Sequence, residues 1–178
     1  DGNILFTSTV DGASNLTLDA DAGTVTITGI AGGTTPLTSL TVAAASQVDL
    51  NNVLTTGLQA ITGTNIDLNG TIYNSNDGNI TFTGAVDLDN ANISIDSDAN
   101  DDATDGNILF TSTVDGASNL TLNADTGTVT ITGIAGGATA LTSLVVSAAS
   151  QVDLHNVTST GLQSVTGTNI DLNGGTYT

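Results

Sequence analysis

The sequence predicts an all-β chain wound as a parallel β-solenoid of about 21 residues per coil, and three observations carry that reading. The first is an internal repeat. DGNILFTSTVDGASNLTLDADAGTVTITGIAGG begins at Asp1 and DGNILFTSTVDGASNLTLNADTGTVTITGIAGG at Asp105, an offset of 104 residues. Residues 1–70 match 105–174 at 59 of 70 positions without a gap. The second is strict apolar/polar alternation in short runs. The third is punctuation of those runs by Asn-Gly, Asp-Gly and Gly-Gly, which supply the backbone conformations that tight corners need.

The runs read as strands in order along the chain. Leu16-Thr17-Leu18-Asp19, Val25-Thr26-Ile27-Thr28, Val48-Asp49-Leu50, Ile66-Asp67-Leu68, Ile80-Thr81-Phe82 and Ile93-Ser94-Ile95-Asp96 all alternate. That is the period-2 signature of a strand with one buried face. Val, Ile and Thr dominate, as a pleated surface prefers. No window carries a sustained helical period. DGNITFTGAVDL at Asp77 restates the opening DGNILFTSTVDG and puts Phe82 in the role of Phe6 and Phe110. This echo inside the period points to units too small to bury an apolar face alone, which is solenoid behaviour rather than that of a sandwich or barrel. Five such units divide the period into coils of about 21 residues, and eight or nine coils spaced ~4.8 Å apart make a rod of roughly 40 Å. The organisation follows: residues 1–104 are a full repeat with an acidic loop at 96–105, and residues 105–178 are a partial second repeat continuous with the first. The whole is expected to be a segment of a longer array.

Composition excludes much. The 178 residues hold 18 acidic side chains, all Asp, with no Lys, no Arg and one His, for a formal charge of −18. Nucleic-acid surfaces are built from Lys and Arg against phosphate, so no nucleic-acid partner is expected. Schiff-base lysines and arginine clamps are likewise absent. With no Cys there is no disulfide, thiolate nucleophile or Cys-ligated metal. No stretch approaches the ~18 apolar residues of a membrane span, so no membrane insertion is expected.

The residues that carry chemistry are few. His155 is the one imidazole, and its twin in the first copy is Asn51, which speaks against a catalytic or ligating role. Paired carboxylates such as Asp87 with Asp89, or Asp19 with Asp21, are the arrangement a glycoside hydrolase needs. However, Asp19 becomes Asn123 in the second copy, and no enzyme is expected. The richest cluster is Asp96-Ser97-Asp98-Ala99-Asn100-Asp101-Asp102-Ala103-Thr104-Asp105-Gly106. Its D-x-D-x-N opening matches the first ligands of an EF-hand-like calcium loop, making Asp96, Asp98, Asn100 and Asp102 the candidate metal ligands. The loop then departs from that pattern, with Asp101 at the glycine position and Asn107 at the bidentate glutamate position. A solvated acidic loop is the competing reading, and no cofactor is required by either. Phe82 and Phe110 lie 28 residues apart, so this coil is expected to carry the extra residues as a loop. The Thr24, Thr26, Thr28 triplet and its twins Thr128, Thr130 and Thr132 recur once per period, too sparsely for a continuous Thr plane.

GNI-x-F-T-x-x-V, then LTL-x-A-x-x-GTVTITGIAGG and LTSL-x-V, followed by GTNIDLNG, resemble the β-strand repeats of large bacterial filamentous-haemagglutinin-like surface adhesins. The resemblance implies a right-handed parallel β-helix, an extracellular location on the bacterial cell surface and a role as stalk, adhesin or fibre. It brings no catalytic motif. The expected function is therefore a stiff, non-catalytic structural segment of a surface fibre. It would continue in a longer array or associate end to end. The alternative is a glycan- or calcium-dependent adhesive module that takes a cell-surface ligand.

Overall fold

The computed structural model describes residues 2–100 and 104–178. Among them there is no helix. In chain order the strands are β1 (Ile4–Phe6), β2 (Asn15–Asp19), β3 (Thr24–Ile27), β4 (Ser39–Ala44), β5 (Gln47–Leu50) and β6 (Val53–Thr55). Then come β7 (Gln59–Leu68), β8 (Ile72–Ser75), β9 (Ile80–Leu88), β10 (Asn92–Asp96), β11 (Ile108–Phe110) and β12 (Val114–Asp115). The last six are β13 (Asn119–Asn123), β14 (Thr128–Ile131), β15 (Ser143–Ala148), β16 (Gln151–Leu154), β17 (Gln163–Val165) and β18 (Asn169–Leu172).

Every pairing is parallel, and the neighbours are one coil apart in sequence, so the chain is the predicted β-solenoid, with about eight turns. Three columns of strands form its three faces, visited in the order one, two, three. Face one stacks β1, β3, β5, the second halves of β7 and β9, and β12, and continues through single-residue bridges at Ala135, Val157 and Tyr177. Face two begins with bridges at Val10 and Ala31 and continues as β6, β8, β10, β13, β15 and β17. Face three stacks β2, β4, the first halves of β7 and β9, β11, β14, β16 and β18. Each alternating run named from the sequence lies in one of these strands, save Thr28, which follows the end of β3.

The coil length is about 22 residues rather than 21. Fourteen strand positions, not fifteen, separate the start of β1 from the start of its twin β11. The difference lies at the acidic loop: β10 ends at Asp96 and β11 starts at Ile108, with no strand among the described residues between them. Ile108 accordingly stacks directly on Ile80, a step of 28 residues, whereas Val48 reaches Ile66 in 18.

The interior is filled by the inward half of each alternation. Tyr73, Phe82 and Phe110 are the largest fully buried side chains. Phe82 stacks on Phe110 with ring centroids 5.1 Å apart, and Tyr73 meets Phe82 edge-on at 6.4 Å. Such pairs add to the area they bury. The Tyr73 hydroxyl donates to the Leu50 carbonyl at 2.9 Å and accepts from the Gly70 amide at 3.0 Å, and burial pushes its pKa well up. Gln59 is a fully buried polar residue whose Nε2 donates to the Asn74 carbonyl at 2.7 Å, tying one coil to the next. Strands β7 and β9 turn the corner between faces three and one without a break. At that corner Gly84 takes φ +135, and a Cβ there would collide with the Gly63 carbonyl oxygen of the coil beneath. Only glycine fits both demands.

Candidate functional site

The acidic loop is anchored before it is acidic. Ser97 Oγ donates to the Gly106 carbonyl at 2.9 Å and the Gly106 amide donates back to the Ser97 carbonyl at 3.1 Å, closing the loop at its neck. The Ala99 amide donates to the Ser75 carbonyl on one side, and the Ser97 amide to the Asn123 carbonyl on the other. This clamp carries Asp98 inward until it is 1% exposed. Asp98 is the most deeply buried carboxylate among the described residues.

Asp98, Asp105 and Asp125 each bring a carboxylate oxygen within 4.8 Å of the other two. Asp105 Oδ2 accepts from the Thr126 amide at 2.9 Å and from the Thr126 hydroxyl, which fixes its orientation. Its Oδ1 is buried and has no hydrogen-bond partner among the described residues. Asp125 holds a left-handed backbone, φ 41, at the tight turn before β14, a conformation Asp tolerates better than most residues. Three hard oxygen donors converging this way suit a divalent cation such as calcium.

The predicted ligands are thus distributed. Asp98 belongs to the trio. Asp96 Oδ1 accepts from the Asp98 amide at 3.1 Å and from Asn123 Nδ2 at 3.2 Å. Asn100 Nδ2 donates to Asp77 Oδ1 at 3.1 Å. Asp102 lies outside the described residues. Asp105 belongs to the acidic cluster but was not among the predicted ligands, and Asp125 escaped because its contact crosses from one coil to the next. Their spacing of 20 residues, close to one coil, was the available signal.

A second acidic feature runs along face one. Register places Leu5, Thr26, Asp49, Asp67, Asp87 and Asp115 in one outward column. Thr26 is therefore flanked by Leu5 and Asp49, and no Thr plane forms there. Thr26 Oγ1 donates to Asp49 Oδ2 at 2.9 Å, Gln47 Nε2 to Asp49 Oδ1 at 2.9 Å, and Asn65 Nδ2 to Asp67 Oδ1 at 2.8 Å. Amide and hydroxyl donors thus do the work that cations do in other proteins. They do not cancel it entirely. Burial raises the Asp67 pKa above its ordinary 3.8, and the charges of Asp89, Asp49 and Asp87 push the same way, against a Gln47 hydrogen bond that lowers it. Asp19 and Asp21, the other candidate pair, form a turn in which Asp19 Oδ1 accepts from the Asp21 amide at 3.2 Å.

Beside this column lies an open polar groove of about 390 Å³, lined by Thr26, Thr28, Asp49, Asn51, Asp67 and Asn69. Its twin, about 200 Å³, is lined by Thr130, Thr132, Asp153, His155 and Asn173 on face three. His155 thus occupies the Asn51 position on a groove wall, where Asn51 Nδ2 donates to the Thr28 carbonyl at 3.1 Å.

The chain matches no family model, and comparisons with curated proteins and with solved structures find no significant match.

Asp67 gives a test of the column. A folded-state pKa above the unfolded value means that the native state binds its proton more tightly, so stability is gained as pH falls through the folded value and the cost is full above it. Asp67→Asn is expected to raise the thermal midpoint at pH 7. The advantage should shrink to nothing as the pH falls below the ordinary Asp range. A midpoint lowered at pH 7, with the loss fading as the pH falls, would show instead that Asp67 is held in a favourable charged state.

Proposed function

We propose that the chain is a stiff, non-catalytic β-solenoid segment of an extracellular surface fibre, in which coil ends are joining surfaces. One observation carries this reading. Leu172 and Ile170 on the last coil are 56% and 41% exposed, whereas their twins Leu68 and Ile66, in the same GTNIDLNG context, are fully buried. The difference is the presence of a following coil. At the other end Ile4, Phe6, Val10 and Leu16 are only partly covered, while Ile108, Phe110, Val114 and Leu120 are fully buried. Each coil leaves a backbone edge that a neighbouring coil pairs, whether that coil continues the same chain or belongs to another. A repeat unit that buries its apolar surface only against neighbours is suited to load-bearing length. The absence of Lys and Arg and the likeness to adhesin repeats agree with a structural role outside the cell.

Sedimentation across a micromolar concentration series tests the joining surfaces. The weight-average mass is expected to rise with concentration, and electron micrographs should show rods lengthening along their axis. Leu172→Asp should hold the chain as a single rod. A monomer at every concentration, with or without the substitution, would remove end-to-end joining from the proposal.

The Asp98, Asp105 and Asp125 trio supports a second reading, a calcium clamp where the first copy gives way to the second. Calcium at about 100 times its Kd is expected to stabilise the fold by about 2.7 kcal/mol. Asp125→Asn keeps a residue tolerant of the left-handed backbone and should abolish the gain. Titration calorimetry without calcium heat, together with unchanged melting, would contradict the clamp.

A further inference from the structure

We infer that successive copies of the 104-residue repeat are turned by one face about the rod axis, so that an array shows each surface feature on the three faces in rotation. The observation is a mismatch between two periods. Three strand positions make one coil, and one sequence period holds fourteen of them. Fourteen is one short of five full coils. Each copy therefore starts a third of a turn out of step with the one before.

Twin strands show this at every position that can be compared. Strand β2 lies on face three in the twelve-stranded sheet, and its twin β13 lies on face two in the six-stranded sheet. Strands β1, β3 and β5 on face one become β11, β14 and β16 on face three. Val53 and Tyr73, bridged on face two, become Val157 and Tyr177 on face one. Local pairing survives the turn, since β2 pairs with β4 as β13 pairs with β15, with the same register shift at the fourth residue. The sequence is thus indifferent to which face it occupies. The interior permits this because most side chains that both copies turn inward are small and medium aliphatic ones. The aromatic stack of Phe82 on Phe110 spans the junction between copies.

The acidic loop lies at the junction between the two copies. Between β10 and β11 the chain spends eleven residues, 97 to 107, without a strand among those described, whereas four residues separate β13 from β14 at the equivalent corner.

The consequence is directional. The polar groove beside Thr26 and Asn51 faces outward from face one, and its twin beside Thr130 and His155 from face three. Wherever copies follow one another without insertion, three are needed to return to the starting face. Such a rod has no single adhesive side. A flat partner lying along it meets the same groove once in three copies, and partners in solution meet it from all round. This phase is a property of the chain itself and holds whatever the rod carries.

Cysteine pairs in the full chain, which has no cysteine of its own, test the phase. Parallel neighbours ~4.8 Å apart are within disulfide reach. Thr81 sits beside Leu109 on face three, and Asp87 beside Asp115 on face one. Thr81→Cys with Leu109→Cys, and Asp87→Cys with Asp115→Cys, are each expected to crosslink under mild oxidation. If the copies were instead in line, Leu109 would lie on Asp87, and the pair Asp87→Cys with Leu109→Cys would close. Closure of that pair, or of none of the three in chains whose circular dichroism is native, overturns the inference.

Discussion

Each coil of this protein can bury its apolar side only against the coils above and below it. No coil has a second layer of its own, and the inward residues of one strand, such as Ile66 and Leu68, are covered by the equivalent residues of the next, Val86 and Leu88. Backbone hydrogen bonding obeys the same rule, because every strand pairing is parallel and links neighbouring coils. Stability is therefore a sum of neighbour terms. The sequence answers with near-uniform inward residues, buried tyrosine and glutamine side chains that reach across coils, and glycine where two corners press together at Gly63 and Gly84.

The same stacking brings like charges into line. A column containing Asp49, Asp67, Asp87 and Asp115 would be untenable on a compact domain with 18 carboxylates and no Lys or Arg. Along a rod the charge is spread to about two per coil. Locally, Thr, Asn and Gln donors and backbone amides take up much of what remains. Asp115, for example, accepts from the Ala138 and Thr139 amides at 2.7 and 3.2 Å. Short Asp side chains suit this use, since they bond to backbone one coil away without leaving the turn.

Alternation made the strands legible. Every run read as a strand is one, and the 28-residue step from Phe82 to Phe110 correctly located the long loop. The count of strands was not legible, for a physical reason. Val10 and Ala31 on face two, and Ala135 and Val157 on face one, hold their columns through single bridged residues, too short to leave any alternation. A period divided by an assumed number of coils then gave five where the chain makes fewer. The acidic site was legible by half. Asp98 and Asp105 lay within the acidic cluster, but Asp125 joins them from the next coil, and that contact depends on loop lengths that no local pattern records.

Amide hydrogen exchange compares two segments that differ in neighbours alone. Residues 63–70 and 167–174 share the sequence GTNIDLNG, yet the first lies between coils and the second at an end. If neighbouring coils supply the stability, amides of Ile66 to Leu68 should exchange slower than those of Ile170 to Leu172, on the order of tenfold or more, in dilute, unassociated protein. Equal protection of the two segments would mean that local sequence holds the strands, and would contradict the account.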